Sequence, residues 1–161
     1  MNIIIKNHFL LYKGLKIKCT IGKSGIKKNK KEGDKSTPRG TFSLGKLYYR
    51  KDRLKKINTN LSVQKIKKNM GWCNDPNNTK YNKQVDRNKI KKSEKLFRND
   101  YKYDAFIVIN YNSKPVIKNK GSAIFLHLTN NYKPTVGCVA IKKNDFFKLV
   151  KVINKKTKIK I

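Results

Sequence analysis

Between residues 121 and 141 the chain reads GSAIFLHLTNNYKPTVGCVAI, and two residues of that stretch, His127 and Cys138, are types that can do covalent chemistry together. A thiol is a poor nucleophile until it becomes a thiolate, and an imidazole or a positive field beside it favours that ionisation. Gly137 supplies a second requirement, because a residue without a side chain lets the backbone before Cys138 turn sharply and aim its N–H groups at a developing oxyanion. Residues 122–128 are apolar enough for a buried strand with His127 near its end, and residues 137–141 read as another with Cys138 at its start. The polar loop between them, residues 129–136, holds Asn130, Asn131 and Pro134 and can fold back to set His127 beside Cys138. The chemistry expected of this set is nucleophilic acyl transfer, with Cys138 as nucleophile, His127 as base and the backbone at Gly137 as oxyanion hole. Taken singly, one cysteine and one histidine would be ordinary core residues.

The elements around this stretch belong to one domain. A chain of 161 residues is long enough to bury a substantial core. Lys plus Arg number 41 against 9 Asp plus Glu, a formal net charge of +32 that favours polyanionic partners: nucleic acid, an anionic lipid surface or an acidic cell-wall polymer. Lys, Asn and Ile dominate together, so composition bias that fills exposed positions with lysine accounts for part of the charge. The competing class is a basic module that grips nucleic acid without catalysis, with Tyr48, Tyr49 and Tyr101 interleaved among the cations, although no nucleic-acid motif is present. No apolar run approaches the length that spans a bilayer, and the N-terminus, interrupted by Lys6, Asn7 and His8, reads as strand and not as a signal peptide. Cys19, Cys73 and Cys138 form no C-x-x-C pair, which argues against a metal site and leaves room for one Cys19–Cys73 disulfide with Cys138 free. Neither a metal nor another cofactor is called for, and a monomer is the default.

Taken in order, residues 2–5, 9–12 and 15–21 predict an antiparallel meander with a turn at Lys13 and Gly14. Residues 22–40 read as a long surface loop, its lysines at 27–31 solvated, and residues 41–50 resume the strand pattern. Residues 51–90 look like an irregular insertion, ordered by Trp72, Cys73 and Tyr81, that either anchors a satellite core or covers a substrate cleft. Residues 93–98 predict a short helix capped by Ser93, residues 104–111 the strongest strand, and residues 115–117 another. Asn144 is expected to cap an amphipathic helix through Phe146, Phe147, Leu149, Val150 and Ile153, before a final strand at residues 157–161. The sum is a mainly β, α+β domain with one amphipathic helix and long loops.

Three pieces of this sequence resemble the catalytic domain of the YkuD-type L,D-transpeptidases, which remodel bacterial peptidoglycan. They are STPRGTF at residues 36–42, similar to the family's Thr-Pro-x-Gly-x-Phe element, the strand that ends in His127, and TVGCV at residues 135–139, similar to its Ser/Thr-His-Gly-Cys signature. Val136 stands where better-known members have a histidine, and the stretch from His127 to Cys138 is shorter than theirs. The resemblance implies a β-sandwich of the L,D-transpeptidase kind and a divergent branch of that family. It also implies a thioester between Cys138 and a stem tetrapeptide that is passed to an amine acceptor, with no cofactor, in the periplasm or cell envelope; the alternative within the resemblance is a homologue that binds peptidoglycan without turnover. Carried onto this sequence, it makes Arg39 a candidate for a stem carboxylate, since a guanidinium fork suits that group, and Trp72, Tyr81 and Tyr132 candidates for the substrate cleft.

Overall fold

Alternation of apolar and polar residues, with glycine and asparagine at the reversals, produces the first three strands. The computed structural model describes residues 1–161. Strands β1 (Ile3–Lys6), β2 (Phe9–Tyr12) and β3 (Leu15–Thr20) form the expected antiparallel meander. Asn7 and His8 at the first reversal, and Lys13 and Gly14 at the second, all take positive φ, the two-residue turn whose twist matches that of the flanking strands. A small parallel pair, β4 (Ile26–Lys27) and β5 (Thr37–Pro38), lies inside the segment expected to be surface loop. Next come β6 (Thr41–Tyr49), β7 (Val63–Lys65), β8 (Met70–Cys73), β9 (Gln84–Asp86), β10 (Ser93–Lys95), β11 (Ala105–Ile109), β12 (Phe125–Leu128) and β13 (Val139–Ile141). Helix α1 (Lys143–Val152) and β14 (Lys158–Lys160) complete the chain.

The main sheet runs β11-β12-β13-β3-β2-β1-β14-β6-β7, and β6 pairs with β11 as well, so the sheet closes on itself. Its interior is one large core. Ile3, Leu10, Ile17, Leu47, Ile107, Leu126 and Ile141 point into it, and α1 adds Phe146, Leu149 and Val150. Full burial of each such side chain stabilises the fold by roughly 1.5–3 kcal/mol relative to exposure. On the opposite face of β6, β11 and β12 lies a second core of Tyr48, Phe106, Val108 and Phe125. A separate sheet, β10-β8-β9, covers it with Met70, Trp72 and Leu96. The architecture is mainly β with one helix, as the sequence pattern implies.

Several local expectations are overturned. Residues 93–98 are not a helix: Ser93, Glu94 and Lys95 pair with Cys73, Trp72 and Gly71 as β10. So short a segment nucleates a helix poorly, and sheet pairing supplies the tertiary contacts that decide its form. Residues 115–117 form no strand, since Asn112 accepts from Ile117 N and donates to Ile117 O and so closes the segment into a turn. Asn144 lies inside α1, whose N-cap is Lys142 without a side-chain hydrogen bond, while Asp145 and Lys151 complement the helix dipole. Residues 22–40 are not simply surface, because Lys30, Ser36 and Thr37 are buried. Lys30 escapes the usual cost of burying a cation through Asp34, 2.7 Å from its Nζ. Cys19 and Cys73 are both free thiols, Cys19 in the large core and Cys73 on β8, so the disulfide is not formed.

Candidate active site

Strand pairing decides which residues meet. β12 and β13 run parallel, Leu126 opposite Val139 and His127 opposite Ala140, so residues 129–138 form a crossover connection. This register sets Cys138 level with Phe125, one pleat from His127, and Phe125 and Cys138 both belong to the second core. His127 and Cys138 line one cavity of about 450 Å³, with Glu94, Arg98, Lys102, Tyr103 and Lys133 also on its walls. Val136, 72% exposed, stands at its mouth.

His127 is held by its own strand. Nδ1 lies 2.9 Å from Leu128 O, and because a carbonyl only accepts, Nδ1 carries the proton and Nε2 keeps its lone pair. A backbone carbonyl is therefore the orienting group for the imidazole. Tyr103 packs edge-on against the ring, 5.4 Å between centroids. Burial lowers the imidazole pKa to about 4, and the charges of Lys102 and Arg98 act the same way, so His127 is neutral at neutral pH.

The thiol is also neutral at rest. Burial pushes Cys138 up to about 12, and the negative charge of Glu94 adds to the rise. The Phe125 N–H, 3.3 Å from the sulfur, and the ammonium of Lys30 oppose that rise. The S–H donates to Ala123 O at 3.2 Å, and no hydrogen bond joins it to His127. Ala123 takes a left-handed φ of 55°, an uncommon conformation outside glycine, and its N–H donates to Asn82 Oδ1. Asn82 Oδ1 also accepts from Trp72 Nε1, while Asn82 Nδ2 donates to Tyr111 O and Asn112 O. A polar chain thus runs from Trp72 through Asn82 and Ala123 to the sulfur.

Gly137 has a structural reason to be glycine: φ is 142°, and a Cβ would stand 3.0 Å from Ser36 O. Its N–H donates to Thr135 Oγ1 at 3.1 Å, and the same hydroxyl donates to Cys138 O at 2.6 Å. That N–H is occupied, whereas the N–H of Cys138 makes no hydrogen bond within the protein. The free backbone donor at this turn belongs to Cys138 and not to Gly137.

The other sequence candidates lie elsewhere. Arg39 is exposed, and its backbone N–H donates to Lys27 O. Trp72 packs on Tyr48 and Phe125 and lines a separate cavity. Tyr81 is buried, donating to Glu32 and accepting from Gly121 N. Tyr132 sits between the ammonium groups of Lys18 and Lys142. None of the four lines the cavity of Cys138. Glu94 and Tyr103 do, and Tyr103 donates its hydroxyl to Glu94 while neighbouring the sulfur. The one sequence signal for Glu94 is its rarity, as one of 9 acids in so basic a chain.

A family model for the L,D-transpeptidase catalytic domain, YkuD, matches residues 3–161. The chain belongs to the L,D-transpeptidase family. No curated protein and no solved structure matches the chain in the corresponding searches. The match spans all three sheets and α1, so in this L,D-transpeptidase-family chain the covering sheet β10-β8-β9 lies inside the catalytic domain. No helix is long and apolar enough to cross a membrane.

Proposed function

We propose that this chain is a cysteine-dependent L,D-transpeptidase that acts on peptidoglycan stem tetrapeptides, with Cys138 as nucleophile and His127 as acid–base. The observation that carries this reading is the cavity shared by Cys138 and His127, whose Nδ1 proton is committed to Leu128 O and whose Nε2 keeps a lone pair. Since thiol and imidazole are both neutral at rest, proton transfer accompanies attack and does not precede it. The S–H leaves Ala123 O and turns to His127 Nε2. The sulfur then bonds to the carbonyl carbon at the L-centre of diaminopimelate, and the proton passes to Nε2. The Cys138 N–H is the donor positioned for the tetrahedral oxyanion. When the C–N bond breaks, the amine of D-alanine departs with the proton held on His127. An amine acceptor attacks the remaining thioester, its proton goes to His127, and the C–S bond breaks to return the thiol.

Lys102 and Lys133 give the cavity cations for the carboxylates of such a stem. A periplasmic or envelope location fits that substrate, and the family is typically associated with the envelope. Intact-protein mass spectrometry with a purified tetrapeptide tests the proposal. The expected result is a covalent adduct of the tripeptide acyl group on the wild type and none on Cys138→Ala. Full turnover by Cys138→Ala would end this assignment.

A further inference from the structure

We propose that Glu94 is a binding residue for a cationic group of the substrate, and that Tyr103 couples its occupancy to Cys138. The inference rests on the reading of Cys138 as nucleophile and adds a recognition element that the sulfur and imidazole do not provide.

The argument begins with how the acids of this chain are used. Six of its 9 acids, Asp34, Asp52, Asp75, Asp100, Asp104 and Asp145, sit in ion pairs with lysine or arginine. Glu94 is in none, although the protein carries 41 cations. It is partly buried on β10, a strand of the covering sheet, and lines the cavity that holds Cys138 and His127. Its Oε1 accepts from the Tyr103 hydroxyl, and its Oε2 makes no hydrogen bond within the protein. The nearby cation, Arg98, is committed elsewhere: its guanidinium grips both oxygens of Asp100 and lies 5.1 Å from the centre of the Tyr103 ring. Burial raises the Glu94 pKa, and the Tyr103 hydrogen bond and the charge of Arg98 oppose that rise. The carboxylate, in no ion pair and with one free oxygen at a ligand-sized cavity, is complementary to an ammonium group.

Tyr103 makes the site more than an anchor. Its hydroxyl has one proton, and that proton now goes to Glu94. An ammonium group on the free Oε2 neutralises the carboxylate and weakens its hold on the Tyr103 hydroxyl, which lies within reach of the sulfur and can then favour it. The same event removes a negative charge that opposes thiolate formation. The other charged or titratable groups facing Glu94 are Arg98, Lys102, Lys133 and His127 on the cavity wall and Glu32 beyond it. With cations on the same walls, the cavity suits an amino-acid centre that bears both an ammonium and a carboxylate, such as the free end of a diamino acid. A substrate of that class would bind and, by binding, raise the reactivity of the thiol.

Thiol modification tests this without requiring turnover, so it is independent of whether acyl transfer occurs. Purified full-length protein is treated with neutral methyl methanethiosulfonate or cationic 2-aminoethyl methanethiosulfonate, and labelling is followed by intact mass with Cys138→Ala as background. Glu94→Gln is expected to lower the cationic-to-neutral rate ratio at least fivefold and to raise the neutral rate at least twofold. Asp145→Asn, which removes an equal charge from a residue that does not line the cavity, should change the ratio less than twofold. Tyr103→Phe should keep the charge preference and lose the gain in neutral rate on adding Glu94→Gln. An unchanged ratio in Glu94→Gln, an equal change in Asp145→Asn, or a Cys138 that neither reagent reaches would each overturn the proposal. Glu94→Asp, which keeps the charge, should retain at least half of the preference and guards against a folding defect in the glutamine variant.

Discussion

Cys19 and Cys138 are both buried thiols pushed up to about 12, and they differ in what surrounds them. Cys19 lies in the large core among aliphatic side chains, and burial alone accounts for its shift. Cys138 lies in the second core, where an imidazole, a backbone N–H, the ammonium of Lys30 and a tyrosine hydroxyl share its neighbourhood. The same contrast runs through β11 and β12. Ala105, Ile107, Ile109, Leu126 and Leu128 face the large core, while Phe106, Val108 and Phe125 face the other, where His127 packs against Tyr103. Burial by itself makes a thiol inert; burial beside groups that can take its proton or stabilise its charge makes it addressable.

The sharpest way to break that contrast is to remove each sulfur in turn. Cys138→Ala should abolish the acyl-enzyme and lower turnover at least about a thousandfold, as loss of a nucleophile does. Cys19→Ala should leave the rate per folded molecule unchanged and cost about 1–2 kcal/mol in urea denaturation. Leu126→Ala, on the aliphatic face of the histidine's own strand, should cost about 3 kcal/mol while the surviving native protein keeps its activity.

Titration probes the chemical face. The imidazole of His127 is depressed from the ordinary 6.5 to about 4, so the unfolded chain binds its proton first as pH falls. Stability is therefore intact above pH 6.5 and declines as pH falls towards 4, by up to about 3 kcal/mol from this residue. His127→Asn should flatten that part of the curve in urea melts recorded at successive pH values. A uniform slope in both proteins would mean that the ring is not buried as described.

Smaller effects test the supports. Gly137→Ala forces a Cβ against Ser36 O at a φ that suits glycine, and should cost about 1–3 kcal/mol together with a loss of acylation. Trp72→Phe removes the donor to Asn82 and should cost about 1 kcal/mol, with a modest change in labelling of Cys138 through Ala123.

What the sequence displayed and what it hid divide along the same line. The strands of the large core were legible because period-two alternation is a local signal, and Leu15, Ile17 and Cys19 report it directly. His127 and Cys138 were legible from residue type and from the Gly137 junction. Glu94 was not, because Ser93–Lys95 becomes a strand only by pairing with Met70–Cys73, a long-range contact that overrides local helix signals. Lys30 is hidden because lysines are seldom buried, and its i,i+4 spacing from Asp34 signals a pair only on a helix, which this glycine-rich segment does not form. The role of Asn82 depends on Trp72 and Ala123 arriving from different parts of the chain, which no local pattern shows.

All three cysteines are buried and unpaired, which bears on how the chain matures. Reaching this fold calls for no oxidative step. Protection comes only after folding. In an oxidising milieu the unfolded chain exposes all three sulfurs, and a bond between any two of them would trap a non-native form. Rapid closure of the two cores, more than any disulfide framework, is what keeps Cys138 a thiol.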